Sequence, residues 1–528
     1  MQNKTDYTIP VGQSVHGGVN SRSVGRISKP LQMASITILV VLAATALAVA
    51  DASNQIIVRF QVFPDPDGAF ATLNLGGPTD TSTNPFFQDM GTNGRRCVTC
   101  HQPSDAWSVT PPHIQARFNA TNGTDPIFRP VDGANCSTAD VSTVEERREA
   151  YSLLLSRGLI RIGIAVPANA DYQVVGVYNK YGCNATDVIS MYRRPLPSTN
   201  LPFLSAVMFD GRESSPATGT TKITYSNYPP SLLSDLAHQS VDATVTHAQG
   251  DGTRPTPAEQ QAIVDFETKL FTAQAFDFRV GLLSAAGAQG GPTPLSTQPF
   301  FISINSSVHF LLPQFEQPGG LVTPGDGQFT SNIFSLYSAW GQPANADDGY
   351  AQGRQSIARG EQLFNTLQIP ITGVAGINDD VADGGLVAGG IPVLQGTCGT
   401  CHDTPNVGNH SFPTPLDIGT GDPSLTNPSV NMGGLDVSYL PLITVCQKDN
   451  LKNCKTTTDL GQALIDGKFA HVGKIKGPIL RGLAGRAPYF HNGSAATLMD
   501  AVNFYDTRFN LNLSPQDKND LVAFLKTL

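Results

Sequence analysis

Apolar positions along the chain change period several times, and each change predicts an element. An apolar run covers Leu31 to Ala50. Ile56 to Val62 reads as strand, followed by Gly/Pro/Thr loops. Ser142-Thr-Val-Glu145 has capping-box spacing and predicts a helix to about Ser156, stopped by Gly158. Residues 160–182 carry Ile160, Ile162, Ile164, Val174, Val175 and Val177 and lean towards strand. The 195–231 stretch, rich in Pro, Ser and Thr, reads as loop. A helix opens at Thr256-Pro257 and carries Ile263, Val264, Phe266, Leu270 and Phe271 on its apolar face. A Gly/Pro-punctuated break falls at Gly341–Gly349, and Gln355–Asn365 reads as the next helix. Thr497 and Ser514 cap two tail helices, the first with Leu498, Ala501, Val502 and Tyr505 on one face.

The pattern is punctuated twice by one signature, Cys97-Val-Thr-Cys100-His101 and Cys398-Gly-Thr-Cys401-His402. Two cysteines three apart with histidine next form the attachment signature of a c-type haem. The thiols anchor two edges of the ring and the imidazole reaches the iron. A zinc site would need a second ligand pair at suitable spacing, and none lies close to either copy. Two covalently bound haems are therefore expected. The fold expected from these segments is mainly α, with two class-I-cytochrome-c-like haem domains and an elaborated, loop-rich middle. The expected division is residues 1–50, 51–345 and 346–528.

Composition narrows the setting. The 528 residues are 40% hydrophobic and 15% charged, with 51 Gly and 38 Pro, a globular and loop-rich balance. Lys4, Arg22, Arg26 and Lys29 precede the apolar run, which closes on Ala48-Val49-Ala50. That order predicts a secretory signal, with a retained membrane anchor as the alternative, and a periplasmic protein. The net charge of −9 offers no basic field for nucleic acid and suits a positively charged redox partner. Cys136, Cys183, Cys446 and Cys454 remain outside the haem signatures, and an exported chain predicts the disulfides Cys136–Cys183 and Cys446–Cys454, free thiols being the alternative.

The tail Gly482-Leu-Ala-Gly-Arg-Ala-Pro-Tyr-Phe-His491-Asn-Gly-Ser-Ala-Ala-Thr-Leu498 resembles the C-terminal haem domain of bacterial di-haem cytochrome c peroxidases and the related MauG-like enzymes. Phe209-Asp-Gly-Arg212 resembles the Trp-Asp-Gly-Arg element of the same group. The resemblance implies His101 and His402 as proximal iron ligands. It puts Tyr505 at the place of the second iron's sixth ligand, a Met in the peroxidases and a Tyr in MauG-like enzymes. Neither Met432 nor Met499 stands at that place. Phe209 replaces a tryptophan that relays electrons between the haems. Where the peroxidases carry a distal Glu, Asp242–Gln249 has none; His247 stands at or beside that place as a candidate acid–base, with His113 a further distal candidate. An inter-haem calcium is implied near Pro488, without a secure match for its asparagine between Arg194 and Asn200. The expected activity is an exported di-haem oxidoreductase using peroxide or oxygen at the first haem, MauG-like. A standard peroxidase and a non-enzymatic electron carrier are the alternatives, and a small cytochrome or copper protein is the electron partner implied.

Overall fold

The structure is a computed structural model that describes residues 56–204, 206–214, 230–298, 334–342, 349–383, 385, 388–402, 404–408, 415–423 and 435–528. The predicted signal or anchor, Met432 and residues 343–348 of the predicted break lie outside the described residues. Residues 54–528 form one compact unit. Among the described residues no helix is long and apolar enough to cross a membrane.

The mainly-α expectation is corrected. The chain is 33% helical and 18% strand, and the strands form several small sheets, among them the pairs β1 (Ile56–Ile57) with β4 (Thr79–Asp80) and β10 (Ile369–Ile371) with β11 (Leu394–Gly396). The central one runs β2 (Phe60–Asp65), β3 (Gly68–Asn74), β8 (Leu270–Asp277) and β9 (Gly281–Leu282), all antiparallel. All seven positions of β3 are buried, so its GAFATLN run shows no in–out alternation from which to recognise a strand. The predicted helix after Thr256 ends at Glu267, and Leu270 and Phe271 belong to β8. Those two residues sit seven and eight positions beyond Ile263, where helical and strand periods give the same apolar pattern.

The β-leaning 160–182 stretch forms β5 (Ile160–Ala165) and β6 (Tyr172–Tyr178). β5 pairs with β7 (Val188–Arg193). β6 pairs with β12 (Leu442–Gln447), which also pairs with β13 (Cys454–Thr457). One sheet thus joins sequence from both sides of the predicted break. Both predicted disulfides are present, Cys136–Cys183 and Cys446–Cys454, the second linking directly opposed residues of β12 and β13.

Helices close the unit. Cys97–Cys100 forms the four-residue α1, and Pro111–Thr121 forms α2, which the sequence reading missed. The Ser142 cap is corrected by one residue: Thr143 and Glu146 make the capping box of α3 (Val144–Ala150). Tyr151 separates it from α4 (Ser152–Arg157), which Gly158 ends at φ +64°. α5 (Pro230–Thr246) begins inside the end of the stretch read as loop and continues through sequence left unassigned, and α6 is Pro257–Glu267. α7 (Ala351–Thr366) includes the predicted Gln355–Asn365, and α8 (Leu498–Phe509) and α9 (Pro515–Leu525) have the predicted Thr497 and Ser514 caps. α7 packs on α9 at Gly360, where a Cβ would lie 2.0 Å from the Asp520 carbonyl oxygen.

The disulfides close loops of 47 and 8 positions. Loop-closure entropy then assigns about 4 kcal/mol to the first and about 2.5 kcal/mol to the second. In urea unfolding, replacing Cys136 and Cys183 by serine is expected to cost more stability than replacing Cys446 and Cys454.

Candidate functional site

Both Cys-x-x-Cys-His stretches are built by one local device. In each, the threonine before the second cysteine folds back and accepts from the residue preceding the first. Arg96 N–H donates to Thr99 Oγ1 at 2.9 Å, and Thr397 N–H donates to Thr400 Oγ1 at 2.8 Å. The histidines then turn the same way. His101 Nδ1 lies 3.1 Å from the Trp107 carbonyl oxygen, and His402 Nδ1 lies 3.2 Å from that of Val407. A carbonyl only accepts, so each Nδ1 carries the proton and each Nε2 keeps its lone pair. A metal-binding imidazole needs that tautomer. Trp107 is fully buried and donates from Nε1 to Thr72 Oγ1 at 3.0 Å, so the central sheet fixes the carbonyl that fixes His101. Burial also holds the His101 imidazole below its usual pKa.

Each stretch lines its own cavity. Cys97, Cys100 and His101 line one of about 180 Å³, and Cys398, Cys401 and His402 line one of about 240 Å³. The cavities share a wall made of Arg194–Pro197, Phe209, Lys476 and Ile479. Phe209 therefore stands between the two sites.

In the second cavity the Tyr505 hydroxyl lies 3.5 Å from His402 Nε2. Burial, reinforced by the neighbouring Cys401 and Cys398, pushes the Tyr505 phenol above its usual pKa. His491 lines the same cavity, 4% exposed, with its Nε2 lacking a hydrogen bond among the described residues and 3.9 Å from Asp459 Oδ2. Burial lowers its pKa to about 4. Its ring meets Phe209 edge-on at 6.0 Å. Arg193, which lines the first cavity, bridges Asp210 and Asp459, with Nε 2.7 Å from Asp459 Oδ2 and Nη1 2.5 Å from Asp210 Oδ2. Burial alone would raise Asp210, but the charges of Arg212 and Arg193 hold it at about 2.

The first cavity holds the acid–base candidates. His247 lines it, and its Nδ1 lies 2.5 Å from Asp132 Oδ2, while Arg95 pairs with the other oxygen of Asp132. Burial pushes the Asp132 carboxyl up, yet the His247 hydrogen bond and the Arg95 charge leave it below the usual range. His113 lines neither cavity; its half-exposed ring bonds Asp105 Oδ1 at 2.5 Å. Glu267, missed in the sequence, lines the first cavity at the end of α6, 4% exposed, with Oε1 unpartnered among the described residues and burial raising its pKa to about 8. A signal existed: Glu267 follows Ile263 by four, a carboxylate on the helix's apolar face.

The donor set fits a haem in each cavity. The cysteine pairs are free of disulfides, the imidazoles carry the metal-binding tautomer, and the walls hold buried cations without carboxylate partners. Arg486 Nε has no acceptor, and Lys476 makes no ion pair among the described residues. Such cations suit an anionic ligand edge. For the calcium implied near Pro488 the support is thinner. Asn200 spends its amide on Thr272, and among the described residues no cluster of three or more His, Cys, Asp or Glu side chains is grouped to hold a metal.

No family profile matches the chain. It is similar in part to two proteins named cytochrome-c peroxidase. IdrP2 of Denitromonas iodatirespirans is 32% identical over 146 residues, 25% of this chain and 36% of that protein. IdrP1 of Pseudomonas sp. (strain SCT) is 38% identical over 81 residues, 13% of this chain and 21% of that protein. The chain thus matches about a third and a fifth of these relatives' lengths.

Glu267 gives a pH signature. An unfolded glutamate ionises near 4.5, whereas the folded one holds its proton to about 8. Between those values the folded state binds more protons, so stability falls as pH rises. Urea unfolding at pH 5 and pH 8 should show Glu267→Gln losing less than wild type, by on the order of 2–4 kcal/mol.

Proposed function

We propose that this chain is an exported di-haem c-type oxidoreductase that consumes hydrogen peroxide at the His101 cavity. The second centre, at His402, takes Tyr505 as its other ligand in the MauG-like manner. The observation that carries the reading is the pair of Cys-x-x-Cys-His cavities sharing one wall, with the Tyr505 hydroxyl 3.5 Å from His402 Nε2 in one of them. The two relatives named cytochrome-c peroxidase support peroxide as the oxidant. The two disulfides support an oxidising compartment such as the periplasm.

A haem held in each cavity by its cysteine pair and histidine would supply redox-active iron able to react with peroxide and to pass single electrons. Peroxide reduction breaks one O–O bond, consumes two electrons and two protons, and yields two waters. The electrons come from a small cytochrome or copper protein, or from an organic substrate. His247 is the residue to move a proton between the peroxide oxygens: Asp132 holds its Nδ1, which leaves Nε2 for the exchange. Asp132 in turn is fixed by Arg95. Tyr505 offers a hard anionic donor once deprotonated, which favours oxidised iron and lowers that centre's potential. Phe209 gives the shared wall an aromatic ring that is harder to oxidise than an indole, so the wall favours direct electron transfer over hopping.

A second reading, a standard peroxidase with a high-potential second haem, is favoured by the relatives' names. Three measurements test these readings, the first their common di-haem basis and the other two the difference between them. Acid–acetone extraction followed by intact mass should retain two haems; loss of either removes that attachment. Oxidised protein should react with peroxide without prior half-reduction. Tyr505→Phe should change the second haem's spectrum and lower peroxide turnover at least tenfold, while costing only about 1 kcal/mol of stability. An unchanged spectrum in that variant would rule out tyrosine ligation, and a requirement for half-reduction would favour the standard peroxidase.

A further inference from the structure

The wall between the cavities contains two cations, and they differ in what they bind. Arg194 spends its guanidinium on backbone: Nη1 donates to Arg157 O at 2.7 Å, and Nη2 donates to Val109 O at 2.8 Å and Arg486 O at 3.1 Å. Lys476 is 4% exposed, and among the described residues its Nζ has a single partner, the Gly477 carbonyl oxygen at 3.3 Å. An ammonium has three donors, so most of its hydrogen-bonding capacity is unspent. No carboxylate lies within ion-pair distance among the described residues, and burial alone lowers its pKa, to about 8. A buried, unpaired ammonium is unfavourable unless an anion completes it.

Its place is fixed by the backbone. Lys476 N–H donates to Phe209 O at 2.7 Å, and the preceding Ile475 bridges Leu416 in both directions, at 2.9 and 3.0 Å. The side chain lines both cavities.

We propose that Lys476 is a counter-ion shared by the two cofactors, binding a carboxylate of the prosthetic group from each cavity and raising both reduction potentials together. This rests on the two-haem reading above. Reduction adds negative charge, and a cation near both centres in a low-dielectric wall favours it at both. Lys476 acts through the cofactors and is a positioning residue.

The test is spectroelectrochemical titration of the purified holoprotein. Wild type is compared with Lys476→Met, Lys476→Gln and Lys476→Arg, and haem content is measured for each. The expected result is that both neutral variants retain two haems and shift both midpoint potentials downward, while Lys476→Arg leaves both near wild type. Movement of one potential only, of neither, or failure of arginine to restore them overturns the proposal. Insoluble protein from both neutral variants alongside a normal Lys476→Arg also overturns it, because the cation would then serve folding. Wild-type protein without two covalent haems would instead reject the underlying reading.

Discussion

One buried ion group organises the site: Arg193 held between Asp459 and Asp210. All three side chains are at most 3% exposed, so each charge has lost its water and depends on the others. Arg193 ends β7, Asp210 follows Phe209, and Asp459 lies just beyond β13. The group therefore pins three distant segments at the wall between the cavities. Phe209 and His491 take their places from it, one by adjacency to Asp210 and the other through its 3.9 Å approach to Asp459.

The two cavities use a common proximal design and differ on the side away from it. Both histidines are fixed by a backbone carbonyl and both helical turns by a threonine hydroxyl. Beyond that, one cavity has a histidine–aspartate pair and a glutamate held neutral, and the other has a phenol beside its histidine. Were one haem attached in each cavity, equal attachment with unequal surroundings would let the two acquire different potentials and different reactivities.

What the sequence disclosed was local. The Cys-x-x-Cys-His spacing, the Thr497 and Ser514 caps and both disulfide pairings depend on residues near one another or on few cysteines. The fold class was illegible because β3 and β8 are buried on both faces and carry no period-two alternation. The shared wall was illegible for another reason: residues 194–197, 209 and 476–479 meet only through tertiary pairing. Lys476 looks ordinary by sequence, since what makes it unusual is the absence of a carboxylate beside it among the described residues. His247 was the leading distal candidate and His113 a further one; the fold places the first in a cavity and the second against Asp105.

The sheet that pairs β6 with β12 has a consequence for how the chain matures. Tyr172, which opens β6, donates from its hydroxyl to Ala463 O, 291 positions away. As the polypeptide emerges from its N-terminus, β6 has no neighbour to complete it until nearly the whole chain has been delivered. Its open edge, with Val175 and Tyr178 exposed even in the finished protein, is a template for unwanted strand addition. Such long-range pairing folds slowly and exposes a growing chain to aggregation. An incomplete sheet is therefore a hazard to this chain during its production.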